Sequence, residues 1–385
     1  MANPFKYGGE VSGYRFYDRK EDAKKLHRRL VDGSTNVVLY APRRYGKTSL
    51  VLKVLEQLRT EDSIPGLIFD MTKASSLERF CAEYANAVFA LVGGRKELFH
   101  KIADWLQHLH PKVSFGGDGG APGVSFDYGE RMSALSISEV LDLPEKLMHE
   151  LGGKPLVVAF DEFQEIAGLS GDIPLESVFR SCIQEHRFVR YVFLGSKTHL
   201  MRRMFGERTS PLYKAAQNMR IGKPPVSTSE DYIVSRFEGE GLSVSDEALR
   251  RIIEVSENIP YYVQAVSAYA FMSVERRRAS QVVVADVDFA VERLVESESD
   301  YYEELLHGLS SAQRSVAEAL AAEPVARFDE TYRRRHALPG LSTVHSCLVE
   351  LTLRGIVDKE DGKQRLDDPF LVHYINRTGV ATLYT

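Results

Sequence analysis

The stretch Val37-Val38-Leu39-Tyr40 is apolar throughout and rich in β-branched residues, and a short turn carries it into a segment of different rhythm. After Thr48, the apolar residues Leu50, Val51, Val54, Leu55 and Leu58 recur at spacings of three and four. A short run without alternation predicts a strand buried on both faces of a parallel sheet, and the later spacing predicts an amphipathic helix. The turn between them therefore lies at a helix N-terminus, where unpaired N–H groups and a partial positive charge favour anions. Gly46 allows close backbone approach, Lys47 offers an ammonium to β and γ phosphate oxygens, and Thr48 offers a hydroxyl to Mg²⁺. The pattern G-x-x-x-x-G-K-[ST], or Walker A, is complete except that Ala41 stands where the first glycine would be. Ala41, Pro42, Arg43, Arg44, Tyr45, Gly46, Lys47, Thr48 and Ser49 are accordingly the candidate phosphate cradle.

A phosphate cradle that also does chemistry needs a second strand ending in acid. Leu156 to Phe160 are apolar, and Asp161-Glu162 follow where the C-terminal edge of a parallel strand would present them to a ligand. This Walker B pattern predicts that Asp161 holds Mg²⁺ through its water shell and that Glu162 is the general base. A third apolar run, Val189 to Ser196, ends in a hydroxyl that could sense the γ-phosphate or orient the attacking water. Should Glu162 not be the base, Gln164 or a group near Ser196 is next in line. The expected fold class is α/β, with a parallel P-loop sheet.

Composition narrows the setting. The chain has 385 residues, 44% hydrophobic and 27% charged, with a formal net charge of −5. That describes a globular protein without the overall basicity of a general nucleic-acid binder. No apolar run of membrane-spanning length is present, and Met1 to Glu10 lacks a signal-peptide core. The three cysteines, Cys81, Cys182 and Cys347, are far apart and form no CxxC pair, as expected of core thiols in a reducing cytoplasm.

Taken together, "NPFKYGGEVSGYRFYDRKED", "LYAPRRYGKTSL", "VVAFDEFQEI", "FLGSKTHLMRRMF" with "SPLYK", and "IPYYVQAV" resemble the archaeal-type ATPases of the AAA+ superfamily, close to the STAND signalling ATPases. The resemblance runs in order from about Asn3 to Ala270, extending to Ile375. It implies an AAA+ core with an extra strand between the P-loop strand and the acidic strand, and a helical lid that sandwiches an adenine nucleotide against it. It implies ATP or ADP with Mg²⁺ as cofactors. Phe16 and Arg19, with Asp18 between them, are similar to the family's N-terminal stretch over the adenine. Pro260 resembles the proline of a Gly-x-Pro lid element that approaches the nucleotide, with Asn258 in place of the glycine. Lys214 stands where such ATPases often carry an arginine finger that reaches a neighbour's phosphate. A lysine is the poorer bidentate clamp, so a low basal rate of hydrolysis is expected.

The expected domains are residues 1–225 for the core, with a β-hairpin insertion near 111–130, residues 226–308 for the lid, and residues 309–385 for a winged helix. The "SEDY" and "SDEA" stretches read as N-caps within the lid. In the last domain, helical patterns at Ser310 to Ala322, Asp329 to His336 and Leu341 to Arg354 precede a hairpin turning at Asp361-Gly362. Within the third helix, Leu341, Val344, Leu348, Leu351 and Leu353 read as core. From Ser310 to Ile375 there are nine Lys and Arg against ten Asp and Glu, a poor face for phosphate contacts. The expectation is an ATPase whose nucleotide cycle drives or times a switch acting on a protein partner, with nucleotide-dependent oligomers and no membrane partner. An ATP-regulated DNA-binding protein using the winged helix, with Arg333, Arg334 and Arg335 as its basic group, is the alternative.

Overall fold

In the computed structural model, which describes residues 2–8, 19–33, 35–91, 95–107, 112–114, 123–125, 133–169 and 172–382, the β-branched run is strand β1, Val37–Tyr40. Its first three residues are fully buried, and β1 is hydrogen-bonded on both sides. The other strands of the sheet are β2 (Gly66–Asp70), β3 (Leu156–Asp161), β4 (Val189–Gly195) and β5 (Gln217–Arg220). They lie in the order β2-β3-β4-β1-β5 with every pairing parallel. The register Val38↔Phe193 and Ala159↔Val192 brings the C-terminal ends of β1, β4 and β3 side by side, with β4 between the P-loop strand and the acidic strand. Parallel strands need crossover connections, and the helix Lys47–Glu61 is the one that leaves β1, burying Leu50, Val51, Val54, Leu55 and Leu58.

Aromatic packing fixes the acidic end of β3. Phe160 stacks on Tyr84 with centroids 5.5 Å apart and on Phe193 at 6.0 Å. Phe163 meets Phe193 at 4.6 Å and Phe179 at 5.4 Å. Asp161 and Glu162 are thus clamped between two fully buried phenylalanines, which lets Glu162 hold a left-handed φ of 50° that a lone glutamate would avoid. The insertion is described only as the antiparallel pair Lys112–Ser114 and Gly123–Ser125; the turn joining its strands lies outside the described residues.

The chain forms two compact units, one of residues 19–222 and one of residues 2–8 with 223–382. This departs from the expected 1–225 core, and the reason is local. Phe5 packs on Phe237 at 4.8 Å and on Tyr232 at 6.2 Å. The Asn3 side chain donates to the Ala268 carbonyl at 3.0 Å, and the Lys6 amide donates to Gln264 at 3.2 Å. The same unit carries the helices Val226–Glu238, Asp246–Val255, Pro260–Arg277, Val284–Ser297 and Ser299–His307. Ser245 of "SDEA" caps as expected, accepting from the Ala248 amide at 3.2 Å. Ser229 of "SEDY" does not: its helix starts three residues earlier after Pro225, and Ser229 is buried with its hydroxyl bonded to Asn258.

The unit ends in three helices, Ser311–Ala322, Glu330–Arg335 and Leu341–Leu353, followed by the strands Val357–Glu360 and Lys363–Leu366 and a closing helix, Pro369–Thr382. Asp361 and Gly362, both at positive φ, make the tight turn that matches strand twist. Two of the leucines expected in the core of the third helix are not there: Leu341 is 57% exposed and Leu353 52%, while Val344, Cys347 and Leu351 are buried. Positions 344, 347 and 351 share one face at spacings of three and four; 349 and 353 fall on the opposite face, and Leu341 is exposed at the first position of the helix.

Candidate functional site

At the C-terminal ends of β1, β3 and β4 the chain assembles the cradle and the acids. Arg44 and Gly46 both take positive φ, 69° and 79°, so the turn doubles back, and Gly46 becomes the N-cap of Lys47–Glu61. Glycine at this position is needed for its backbone, since a Cβ there would meet only Arg19 Nε at 4.0 Å. Lys47 is 6% exposed; its ammonium donates to the carbonyls of Ala41 and Pro42, each at 2.9 Å. Ala41, where the motif has glycine, is buried at the end of β1, and its amide donates to the Gly195 carbonyl at 3.4 Å.

Thr48 Oγ1 donates to Asp161 Oδ2 at 2.6 Å, closing β1's turn onto β3. Asp161 is 8% exposed. Burial pushes its carboxyl above the ordinary aspartate range, the Thr48 hydrogen bond opposes this, and the Glu162 charge adds to it. Glu162 goes the other way. Burial alone would raise it, but hydrogen bonds from Ser196 and Gln164 and the charge of Lys47 outweigh burial and hold it below the usual range. One oxygen, Oε2, accepts from Ser196 Oγ at 2.6 Å, from the Ser196 amide at 3.3 Å and from Gln164 Nε2 at 2.5 Å.

A hydroxyl and a carboxylate are hard oxygen donors of the kind Mg²⁺ takes together with water and phosphate oxygens. Left-handed Gly46 at a helix start supplies the amide cradle for those phosphates. The residues present fit both groups. Among the described residues no cluster of three or more His, Cys, Asp or Glu forms an alternative metal site.

The structure thus brings together Lys47, Thr48, Asp161, Glu162 and Ser196. Arg19 stands beside Gly46, with Nη1 on Asp22 at 3.0 Å and Nη2 on the Gly222 carbonyl at 2.9 Å. Phe16 and Asp18 lie outside the described residues. Pro260 belongs to the other unit, opening the helix Pro260–Arg277 after Ile259, and Asn258 before it has φ 58°. Lys214 is exposed, with its ammonium 5.3 Å from the centre of the Tyr213 ring.

Motif reading gave Gln164 only a reserve role. It is 2% exposed, donates to Glu162, and its Oε1 has no hydrogen-bond partner among the described residues. Gly195 makes room for it, since a Cβ at that position would come within 2.7 Å of Gln164 Oε1 and 2.3 Å of Met201. The glycine before Ser196 was the available signal.

No curated protein matches the chain in sequence. A family described as "Probable winged helix domain" matches residues 300–377. Among solved structures, the Walker-type ATPase PABY2304 of Pyrococcus abyssi superposes with a TM-score of 0.69 at 17% identity, covering 97% of this chain and 99% of that one. The Aeropyrum pernix ORC2 protein in its ADPNP–ADP complexes gives 0.57 at 14% identity, covering 96% of each chain. The Aeropyrum pernix ORC1 protein in complex with DNA gives 0.51 at 17%, covering 96% of this chain and 94% of that one. The chain therefore has the fold of the AAA+ P-loop ATPases, with a winged helix as its C-terminal part.

Proposed function

We propose that the chain binds ATP or ADP with Mg²⁺ at residues 41–49 and hydrolyses ATP slowly, the nucleotide state timing a switch that acts on a protein partner. The observation that carries this reading is the 2.6 Å contact of Thr48 with Asp161, which joins the two candidate metal ligands, one from the start of the helix Lys47–Glu61 and one from the end of β3, beside Lys47. Mg²⁺, when bound, would neutralise charge developing on the phosphates. Thr48 and Asp161 would hold it, and Lys47 would exchange the Ala41 and Pro42 carbonyls for phosphate oxygens. Glu162 would orient and deprotonate the attacking water. The donations of Ser196 and Gln164 to Oε2 stabilise the carboxylate, and its lowered proton affinity makes it a weak base at rest. Both features, with Lys214 in place of an arginine, support a low basal rate and a cycle governed by a partner or a second copy.

The DNA-regulated alternative draws on one likeness, the ORC1 protein solved with DNA. The arginines it would use have acidic or carbonyl neighbours that partly balance their charge: Arg334 pairs with Glu330 at 2.5 Å, Arg335 with Glu323 at 2.7 Å, and Arg333 donates to the Phe328 carbonyl at 3.2 Å. The whole segment Ser310 to Ile375 is also net acidic. We therefore favour the protein partner. Lys47→Ala is the test. Nucleotide affinity should fall by a hundredfold or more, about 3 kcal/mol, at unchanged thermal stability; unchanged affinity in a titration with labelled ATP would refute the site.

A further inference from the structure

We propose that Lys223 and Arg365 form a charge relay that couples the phosphate-binding turn to the wing of the winged helix, residues 357–366; this rests on the nucleotide reading above. The chain passes from one compact unit to the other at the Gly222–Lys223 peptide bond. On one side of that bond, Arg19 holds the Gly222 carbonyl at 2.9 Å while its Nε lies 4.0 Å from the point a Cβ on Gly46 would occupy. The residue that fixes Gly222 thus stands beside the turn, where the relay requires it to respond when the turn shifts on filling.

On the other side, four alternating charges close a square. Lys223 Nζ pairs with Glu360 at 3.1 Å and with Glu257 at 3.6 Å. Arg365 pairs with Glu360 at 2.5 Å and also with Glu257. Glu360 and Arg365 belong to the two strands of the wing. Glu257 belongs to a loop in which it and Asn258 both take positive φ, 48° and 58°, just before the helix that opens at Pro260. Asn258 ties that loop to the residue after Lys223, donating to the Pro224 carbonyl at 2.8 Å, and its own oxygen accepts from Ser229. Displacing Lys223 thus moves the wing and a strained loop together. Each side chain of the square is 18–30% exposed. A lone pair at that exposure contributes little, but four shared charges hold one geometry better than separate pairs. The path from the turn to the wing is contiguous through Arg19, Gly222, Lys223 and the square.

Amide hydrogen exchange on the full chain, with and without Mg·ADPNP, tests the relay alongside a titration of ADPNP affinity. In the wild type, ADPNP should change exchange at residues 357–366, a factor of about five to a hundred being usual for coupled sites. Lys223→Met and Arg365→Met should keep the affinity and thermal stability and lose most of that change, whereas Lys223→Arg should retain it. A wing response in both methionine variants equal to wild type would overturn the relay, as would wild-type binding with no wing response. Failure of the wild type to bind ADPNP would instead overturn the nucleotide reading itself, and the relay with it.

Discussion

At the scale of residues, the site carries two neighbouring carboxyls whose proton affinities are pushed apart, the usual mark of divided labour. Glu162→Gln keeps the shape of the side chain and loses the base, so it should bind Mg·ATP and turn it over at least about a hundredfold more slowly; a phosphate-release assay on tightly binding protein decides this. Asp161 makes the opposite kind of prediction. A carboxyl held above its ordinary range stabilises the fold only when protonated, below that range, and this contribution is lost as pH rises through the folded value. Ionising this buried group costs the fold stability. Asp161→Asn should therefore raise the melting temperature without ligand, by roughly 2–4 °C for about 1 kcal/mol, and abolish the extra stabilisation that Mg·ATP brings. Glu162, held below its range, contributes above the ordinary glutamate pKa and loses that contribution as pH falls through the folded value. The identities Lys47, Thr48, Asp161, Glu162 and Ser196 were readable because each sits at a fixed offset from a strand end. Gln164 was not assigned its place, because a glutamine two residues past an acid has no motif; its position follows from a left-handed turn and a missing Cβ at Gly195.

At the scale of elements, the strands and the phosphate helix were legible from period alone, since burial on two faces and burial on one leave different patterns. The third helix of the winged unit shows where period misleads. Seven apolar residues within thirteen positions cover more than one face, and only packing decides that Val344 and Leu351 turn inward while Leu341 and Leu353 face out. Leu351→Ala should cost about 2–5 kcal/mol through lost burial and an unfilled cavity. Leu353→Ser should stay within about 0.5 kcal/mol, as surface changes do. Urea unfolding followed through the C-terminal unit distinguishes the two, and equal losses would mean the helix is rotated from the orientation described. The early start of Val226–Glu238 has a similar origin, with Pro225 fixing φ at −55° and leaving Ser229 inside the helix.

At the scale of the whole molecule, sequence order concealed that the first residues pack among helices more than two hundred positions away. Asn3, Phe5 and Lys6 carry no motif for Ala268, Phe237 or Gln264, and such pairings become visible only in three dimensions. Charge, by contrast, was countable from the start, and it supports the last prediction. The chain carries −5 overall, and Ser310 to Ile375 hold ten acids against nine bases. The arginines that could offset this face Glu330, Glu323 and the Phe328 carbonyl, so their charge is partly balanced locally, while the third helix presents Leu341, Val349 and Leu353 to solvent. A duplex reader making six or more phosphate contacts loses roughly a thousandfold in affinity between low and moderate salt, so weak binding at low salt would leave little for added salt to remove. Titrating duplex DNA at increasing salt, with and without ATP, on the full chain and on an Arg333→Ala/Arg334→Ala/Arg335→Ala variant, should show weak binding of shallow slope that the variant scarcely alters. Submicromolar, salt-steep binding lost in the variant would mean that the arginines leave their glutamates for phosphate, and would favour the DNA-reading winged helix over the proposed protein-docking one.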